Sequence, residues 1–327
     1  RNPRARSLLR ICIRSANVDP PMARQIAGAR ARLEYTAFAA ARRTLASMPL
    51  GVAMRTGAAL GSLAMTLDRT NRPIAMRNLE LAFPQADVAW RLKTLREMYR
   101  NWGRVAAEWS HLADVNKGNI GQYAVYEEPE FVEYLRRERF VHGALCLTAH
   151  FGNTELMAAA NQLYSFPIAI VGRPLRNPLM DDAIESSRAR FGSVVIGRRD
   201  VGRQILGLLR SSAIVAFALD LDVRKGVFVD FFSHKASTSD GLARLAMATR
   251  VPVVPVLIVR QGASSSHRIK VLPLVEIVCD GNQEESMREN TQRFTKVLED
   301  VIRAHPDHWN WIHRRWKTRP PGEPPIY

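Results

Sequence analysis

The sequence is poor in cysteine and has no long uncharged apolar run. Its three cysteines, Cys12, Cys146 and Cys279, lie far apart and form no CxxC pair. Neither a disulfide framework nor a zinc site is therefore predicted, and the thiols are expected to be reduced. A membrane-spanning helix needs about 18 or more apolar residues, and no uncharged run of that length occurs, so we predict no transmembrane helix.

The usual nucleotide and nucleophile motifs are also missing. The chain has no GxxxxGK[ST] loop, no GxGxxG after a strand and no GxSxG elbow. These absences argue against an NTPase, a dinucleotide-dependent enzyme and an α/β-hydrolase.

Acidic residues are scarce relative to basic ones. The 327 residues contain 47 Lys and Arg against 31 Asp and Glu, a formal net charge of +16. Such an excess attracts polyanions, namely nucleic acid, an anionic membrane surface or an acidic protein. Arginine is densest at the start, and we predict a basic, disordered tail over residues 1–34.

Two further regions follow the tail. Residues 35–118 are predicted to be helical, with breaks near Pro49–Gly51 and Phe83–Pro84. Their Ala, Leu and Met content fits helices of a core or helices lying on an anionic bilayer. Residues 119–327 alternate short apolar runs with amphipathic segments. This pattern predicts an α/β domain whose mixed, mostly parallel sheet is covered by helices.

A histidine and a carboxylate flank a predicted turn. His150 follows the apolar strand Ala144–Thr148, and Glu155 opens the next helix. With a turn between them, Glu155 can fold back onto the imidazole. His150 would then act as a base, and Glu155 would orient it. The spacing alone is weak, but the C-terminal end of a parallel strand is where open α/β sheets place their sites.

Other charged residues also follow predicted strands or helices. Arg173 leaves one strand, Arg188 lies one helix later and Asp220 ends the strand Ala213–Leu219. The arginines suit phosphate recognition, or are solvated surface residues. The carboxylate fits a substrate site at the sheet rim, or a loop-fixing role. The C-terminal residues 309–319 interleave Trp with Arg, a pattern typical of single-stranded nucleic acid binding or of a membrane-interface belt.

Several segments in order make the chain similar to a known family. It resembles the bacterial lipid A late acyltransferases (lauroyl and myristoyl transferases), a branch of the lysophospholipid acyltransferase superfamily, over about residues 35–327. The segments are Asn78-Leu-Glu-Leu-Ala-Phe-Pro84, His150-Phe-Gly-Asn-Thr-Glu155, Gly172-Arg-Pro-Leu-Arg-Asn-Pro178, Asp220-Leu-Asp222, Gly226-Val-Phe-Val-Asp-Phe-Phe232 and Trp311-Ile-His-Arg-Arg-Trp-Lys-Thr-Arg-Pro320.

The resemblance implies a glycerolipid acyltransferase-like fold and a specific reaction. A fatty acyl chain would pass from acyl carrier protein or acyl-CoA to a hydroxyl of a phosphorylated membrane glycolipid, without metal or cofactor. His150 and Glu155 match the catalytic His-x4-acid motif, Arg188 and Asp220 match functionally required positions, and Arg173 matches a phosphate contact. The expected location is the cytoplasmic face of the bacterial inner membrane, with peripheral or monotopic attachment.

Three alternatives stay open at this stage. Phosphatidylinositol mannoside or another lysolipid can be the acceptor, because the motifs do not separate acceptors. A basic nucleic-acid-binding protein explains the charge and the Trp/Arg tail but gives the His150–Glu155 turn no purpose. A membrane-surface protein with an inactive acyltransferase fold is the third.

Overall fold

The computed structural model describes residues 28–172, 174–196 and 200–327. Arg173 and the first 27 residues of the predicted tail lie outside the described residues. The first described helix, α1, spans Ala29–Ala46 and so begins within the segment predicted as tail.

Four helices form the N-terminal portion, as predicted. After α1 come α2 (Leu50–Leu67), α3 (Asn71–Ala82) and α4 (Val88–His111). Pro49 directly precedes α2, where its fixed φ and missing N–H cost nothing. The Asp87 side chain caps α4 by accepting a hydrogen bond from the Trp90 N–H at 2.6 Å. The two predicted breaks therefore coincide with helix boundaries.

Helices α2 and α4 pack backbone against backbone. A methyl group at Gly57 would lie 2.2 Å from the Gly103 carbonyl oxygen, and one at Gly61 would lie 2.1 Å from that of Tyr99. This close approach resembles the small-residue packing of membrane helices. By length and composition, α2 is also apolar enough to cross a membrane, which we did not predict because Arg55 interrupts its apolar run.

A seven-stranded sheet forms the centre of the α/β portion, with the order β1-β9-β8-β2-β5-β3-β4. All neighbouring strands are parallel except β8 and β9, so the predicted mixed, mostly parallel sheet is confirmed. The strands are β1 (Ala124–Tyr126), β2 (Ala144–Thr148), β3 (Ile168–Val171), β4 (Val194–Ile196), β5 (Ile214–Ala218), β8 (Val253–Arg260) and β9 (His267–Val271). A separate hairpin pairs β6 (Val227–Phe231) with β7 (His234–Thr238).

Helices cover the sheet. They are α5 (Ile120–Tyr123), α6 (Pro129–Tyr134), α7 (Thr154–Leu163), α8 (Pro178–Phe191), α9 (Val201–Arg210), α10 (Gly241–Thr249) and α11 (Gln283–Ala304). A short 3-10 turn, Pro306–His308, follows α11. Strand β2 is buried along its whole length, as expected for a central strand with helices on both faces.

The C-terminal aromatic segment belongs to the core. Trp309, Trp311 and Trp316 are fully buried, and so is Arg315. Arg315 donates to the Ser237 carbonyl oxygen at 2.8 Å, and burial lowers the pKa of its guanidinium to about 10. Both surface interpretations of these tryptophans, the membrane-interface belt and the base-stacking platform, are therefore wrong.

Candidate active site

His150 and Asp220 lie side by side because of strand register. Thr148 at the end of β2 pairs with Ala218 at the end of β5, and each functional residue follows two positions later. The His150 Nδ1 donates to Asp220 Oδ1 at 2.9 Å, and the His150 backbone N–H donates to Oδ2 at 3.0 Å. The aspartate therefore fixes both the tautomer and the orientation of the ring.

The two side chains differ in exposure. The His150 side chain is 47% exposed, whereas that of Asp220 is 1% exposed. With Nδ1 bound to the aspartate, Nε2 is the nitrogen that can meet a substrate. The Trp309 indole N–H also donates to Asp220 Oδ2 at 2.8 Å, so both carboxylate oxygens are occupied. The prediction that Asp220 contacts substrate does not fit this arrangement.

The pair shifts each other's pKa values in opposite directions. Burial would lower the pKa of His150, but the charge and hydrogen bond of Asp220 outweigh it and raise that pKa above its ordinary value. Burial would raise the pKa of Asp220, but His150 and the Trp309 hydrogen bond hold it below the usual range. The aspartate thus stays ionised while the imidazole titrates.

The prediction that Glu155 folds back onto the imidazole is wrong. Its carboxylate accepts two hydrogen bonds from Arg188 on α8, one from Nε at 3.0 Å and one from Nη2 at 2.6 Å. The charge of Arg188 in turn opposes protonation of His150, so the guanidinium lies within electrostatic reach of the imidazole. The sequence favoured Glu155 because it is the carboxylate nearest to His150 along the chain. The pairing of β2 with β5 instead brings Asp220 next to the imidazole.

The turn between His150 and α7 requires a glycine. Gly152 has φ of +62°, and a Cβ there would lie 2.2 Å from the Ile258 carbonyl oxygen. Its N–H donates to the His308 carbonyl oxygen at 2.9 Å. Because this bond occupies the Gly152 N–H, that group is not available to stabilise a substrate oxyanion.

A buried ion pair is hydrogen-bonded to the turn that follows His150. The Asn153 side chain caps α7 by accepting from the Leu156 N–H and donates to Glu108 Oε2 on α4 at 2.8 Å. Glu108 also binds Arg260 through both terminal nitrogens, with the Nη2 contact at 2.6 Å. Helix α4 is thereby tied to the segment that carries His150.

The C-terminal segment closes the site from another side. The Asp222 backbone N–H donates to His313 Nε2 at 2.9 Å. The Asp222 carboxylate accepts from the Thr318 N–H at 3.0 Å and from its hydroxyl at 2.9 Å. No local pattern in the sequence indicates this contact, because about 90 residues separate Asp222 from the C-terminal segment.

Metal ligands and the predicted phosphate contact of Arg173 are the remaining candidate binding groups. Within the described part of the chain, no cluster of three or more His, Cys, Asp or Glu side chains could hold a metal ion. Arg173 lies outside the described residues, so its predicted phosphate contact stays a prediction.

An ionised aspartate behind a half-exposed histidine, at the carboxyl ends of parallel strands, defines a site for removing a proton from a substrate group. Comparison with known proteins specifies the class. Residues 29–318 match the family model described as bacterial lipid A biosynthesis acyltransferase.

Curated relatives agree over most of their length. The chain is 30% identical to the lipid A biosynthesis palmitoleoyltransferase of Escherichia coli over 86% of this chain and 90% of that protein. It is 29% identical to the lauroyltransferase of the same organism over the same shares, and 25% identical to its myristoyltransferase over 81% of each chain. The chain belongs to the bacterial lipid A biosynthesis acyltransferase family and is an acyltransferase.

Proposed function

We propose that this protein transfers a fatty acyl chain from a thioester donor to a hydroxyl of a lipid A precursor, with His150 as the general base. The observation that carries the proposal is the hydrogen bond between His150 Nδ1 and the buried Asp220 carboxylate. Asp220 takes the orienting role that we first gave to Glu155. The family membership supports the acyl transfer and the glycolipid class of acceptor.

The reaction proceeds by direct attack. Nε2 of His150 takes the proton from the acceptor hydroxyl as its oxygen bonds to the thioester carbonyl carbon. The carbon–sulfur bond then breaks, and the imidazolium returns the proton to the leaving thiolate. Asp220 stabilises the imidazolium between these steps. Because a thioester is already activated, no covalent enzyme intermediate is needed.

Arg188 is placed to stabilise negative charge near the base. Its Nε and Nη2 are held by Glu155, which fixes the guanidinium and leaves Nη1 for a substrate oxygen. A positioned cation can stabilise the oxyanion that forms on the thioester carbonyl. In this proposal Glu155 acts through Arg188, and Arg188 meets the substrate.

The proposed substrates are a thioester acyl donor and a glycolipid acceptor. Acyl carrier protein or acyl-CoA would supply the thioester, and the net charge of +16 favours either anionic donor. The relatives' names support lipid A as the product class. Phosphatidylinositol mannoside stays the alternative acceptor.

The orienting role of Asp220 predicts a shift in the pH profile. In Asp220→Asn the charge that raises the pKa of His150 is lost, so the acid limb of kcat against pH should move to lower pH. The plateau should also fall, by about 10–10³-fold, because the amide no longer stabilises the imidazolium. Steady-state kinetics from pH 5 to 9 measure both changes.

The matched variant is Glu155→Gln. It should lower kcat by loosening Arg188, but the acid limb should stay within a few tenths of a pH unit of wild type, because Glu155 makes no contact with the imidazole. If Glu155→Gln moves the limb downward and Asp220→Asn leaves it in place, Glu155 is the partner of His150 and our assignment is wrong.

We also propose that the protein attaches to the cytoplasmic face of the inner membrane through α2. Several large apolar side chains on this helix are exposed, namely Val52, Leu60, Leu63 and Leu67. An exposed apolar face of this kind, on a basic protein, fits attachment to an anionic bilayer surface. The three tryptophans of the C-terminal segment, whose pattern also fitted a membrane-interface belt, are buried and cannot contribute.

Vesicle flotation tests this attachment. Wild type should float with anionic vesicles, and Leu60→Gln/Leu63→Gln should float markedly less. The control Val141→Gln/Leu206→Gln removes equally exposed apolar groups outside α2 and should float like wild type. Failure of the wild type to float with anionic and neutral vesicles alike contradicts the proposal.

A further inference from the structure

Four exposed cations lie on two loops that are tied to the candidate active site through Asp222. They lie on two loops, one after β5 and one near the C-terminus, which Asp222 joins through its hydrogen bonds to His313 and Thr318. We call the four residues the mouth cluster: Arg224, Lys225, Arg314 and Lys317.

The two loops that carry the mouth cluster are linked to the segment that holds the orienting aspartate. Asp222, which joins the two loops, is only two residues beyond the aspartate that orients His150. Burial lowers the pKa of His313, and the charge of protonated His150 lowers it further, so the two imidazoles lie within electrostatic reach. The neighbours of His313 and Asp222 along the chain are the cluster residues themselves.

The cluster carries charge that the protein itself does not neutralise. Among the residues that the structure describes, no carboxylate forms an ion pair with any of the four. Asp222, the nearest acidic residue in sequence, directs both its oxygens at Thr318. Arg188, by contrast, already holds Glu155 with two of its nitrogens. Among the described residues, the four cations of the mouth cluster therefore have no carboxylate partner, although the Arg314 guanidinium lies over the Tyr327 ring at 5.9 Å.

We propose that the mouth cluster binds a phosphate ester of one of the two substrates and so orients that substrate against His150. The proposal rests on the proposed function and adds the site that recognises the anionic group. The chemistry fits two sources, a phosphate on the glycolipid acceptor or a phosphate on the acyl donor. Two arginine guanidinium groups and two lysine ammonium groups suit an anionic phosphate ester better than an uncharged sugar hydroxyl.

Binding measured without turnover separates this proposal from the proposed function. In the His150→Ala background, two double variants remove one Arg and one Lys each: Arg224→Gln/Lys225→Gln and Arg314→Gln/Lys317→Gln. The control Lys117→Gln/Arg210→Gln removes the same charge from exposed positions elsewhere. The probes are a phosphorylated disaccharide lipid in neutral detergent micelles, its dephosphorylated form, and acyl-CoA.

We expect each mouth variant to bind one phosphorylated probe about tenfold more weakly, while the control variant binds like its parent. A loss confined to the phosphorylated lipid, with the dephosphorylated form unaffected, identifies the acceptor phosphate. A loss confined to acyl-CoA identifies the donor phosphate.

Three outcomes overturn the proposal. The mouth variants bind all probes like the parent, or they lose the dephosphorylated lipid equally, or the control loses as much as they do. Absence of acyl transfer by the wild type would refute the proposed function without changing any of these binding results.

Discussion

Replacing His150 with alanine is expected to lower kcat by about 10²–10⁴-fold, the usual contribution of a general base. The imidazole would take the proton of the acceptor hydroxyl, and alanine offers no group that can accept it. The side chain is 47% exposed, so its loss leaves no large cavity and the fold should persist. Single-turnover transfer of a labelled acyl chain measures the rate.

His142→Ala is the matched control because His142 is also exposed and lies at the opposite end of β2. It should transfer at the wild-type rate. Circular dichroism of both variants should match wild type, and so should the denaturation midpoint of His142→Ala. The midpoint of His150→Ala should fall only modestly, because Asp220 keeps its hydrogen bonds from the backbone N–H of residue 150 and from Trp309. A folded His150→Ala protein with near-wild-type transfer removes His150 from the mechanism.

The strand that presents the base could be predicted because its signal is local. Ala144–Thr148 is a short apolar run followed by a turn, and β2 has those bounds in the structure. Helix α7 likewise begins where the next helix was predicted, with Glu155 in its first turn. The partner of His150 could not be found in this way, because it depends on how β2 and β5 pair. Strand order and register are long-range properties that one sequence does not display.

Hairpin β6–β7 shows a second limit. The alternating residues of β6 are typical of a strand, but the turn that follows lacks the Asn-Gly or Asp-Gly signal of a tight hairpin, so its pairing with β7 is not indicated by the sequence. Phe232 and Ser233 take positive φ values of 51° and 63° there. Phe232 is buried against neighbouring aromatic rings, so tertiary packing compensates for its backbone conformation.

The C-terminal tryptophans were misassigned for a related reason. Trp interleaved with Arg has the same pattern in a membrane belt, a nucleic-acid surface and a core. Here the Trp309 indole N–H binds Asp220 and the Trp316 indole N–H donates to the Phe231 carbonyl oxygen at 3.2 Å. Tryptophan is buried readily where its N–H finds an acceptor, and those acceptors lie about 80 to 90 residues away.

The ion pair behind the turn gives the largest expected effect on stability. Glu108 and Arg260 side chains are 6% and 3% exposed. Glu108→Ala leaves the guanidinium buried without its counterion, which should lower the free energy of unfolding by about 3–5 kcal/mol. Urea denaturation followed by tryptophan fluorescence measures the change. The exposed pair of Glu289 and Arg293 is the control, and Glu289→Ala should cost less than about 1 kcal/mol.

A double variant distinguishes the cost of an unpaired charge from the value of the pair itself. Glu108→Leu/Arg260→Met removes both charges and keeps most of the apolar volume, so it should recover most of the stability lost in Glu108→Ala. It should not recover activity, because Asn153 still loses the carboxylate that holds the turn after His150. Stability regained with kcat still low therefore supports a positioning role for Glu108. Recovery of both together would show that the buried pair stabilises the fold without orienting the base.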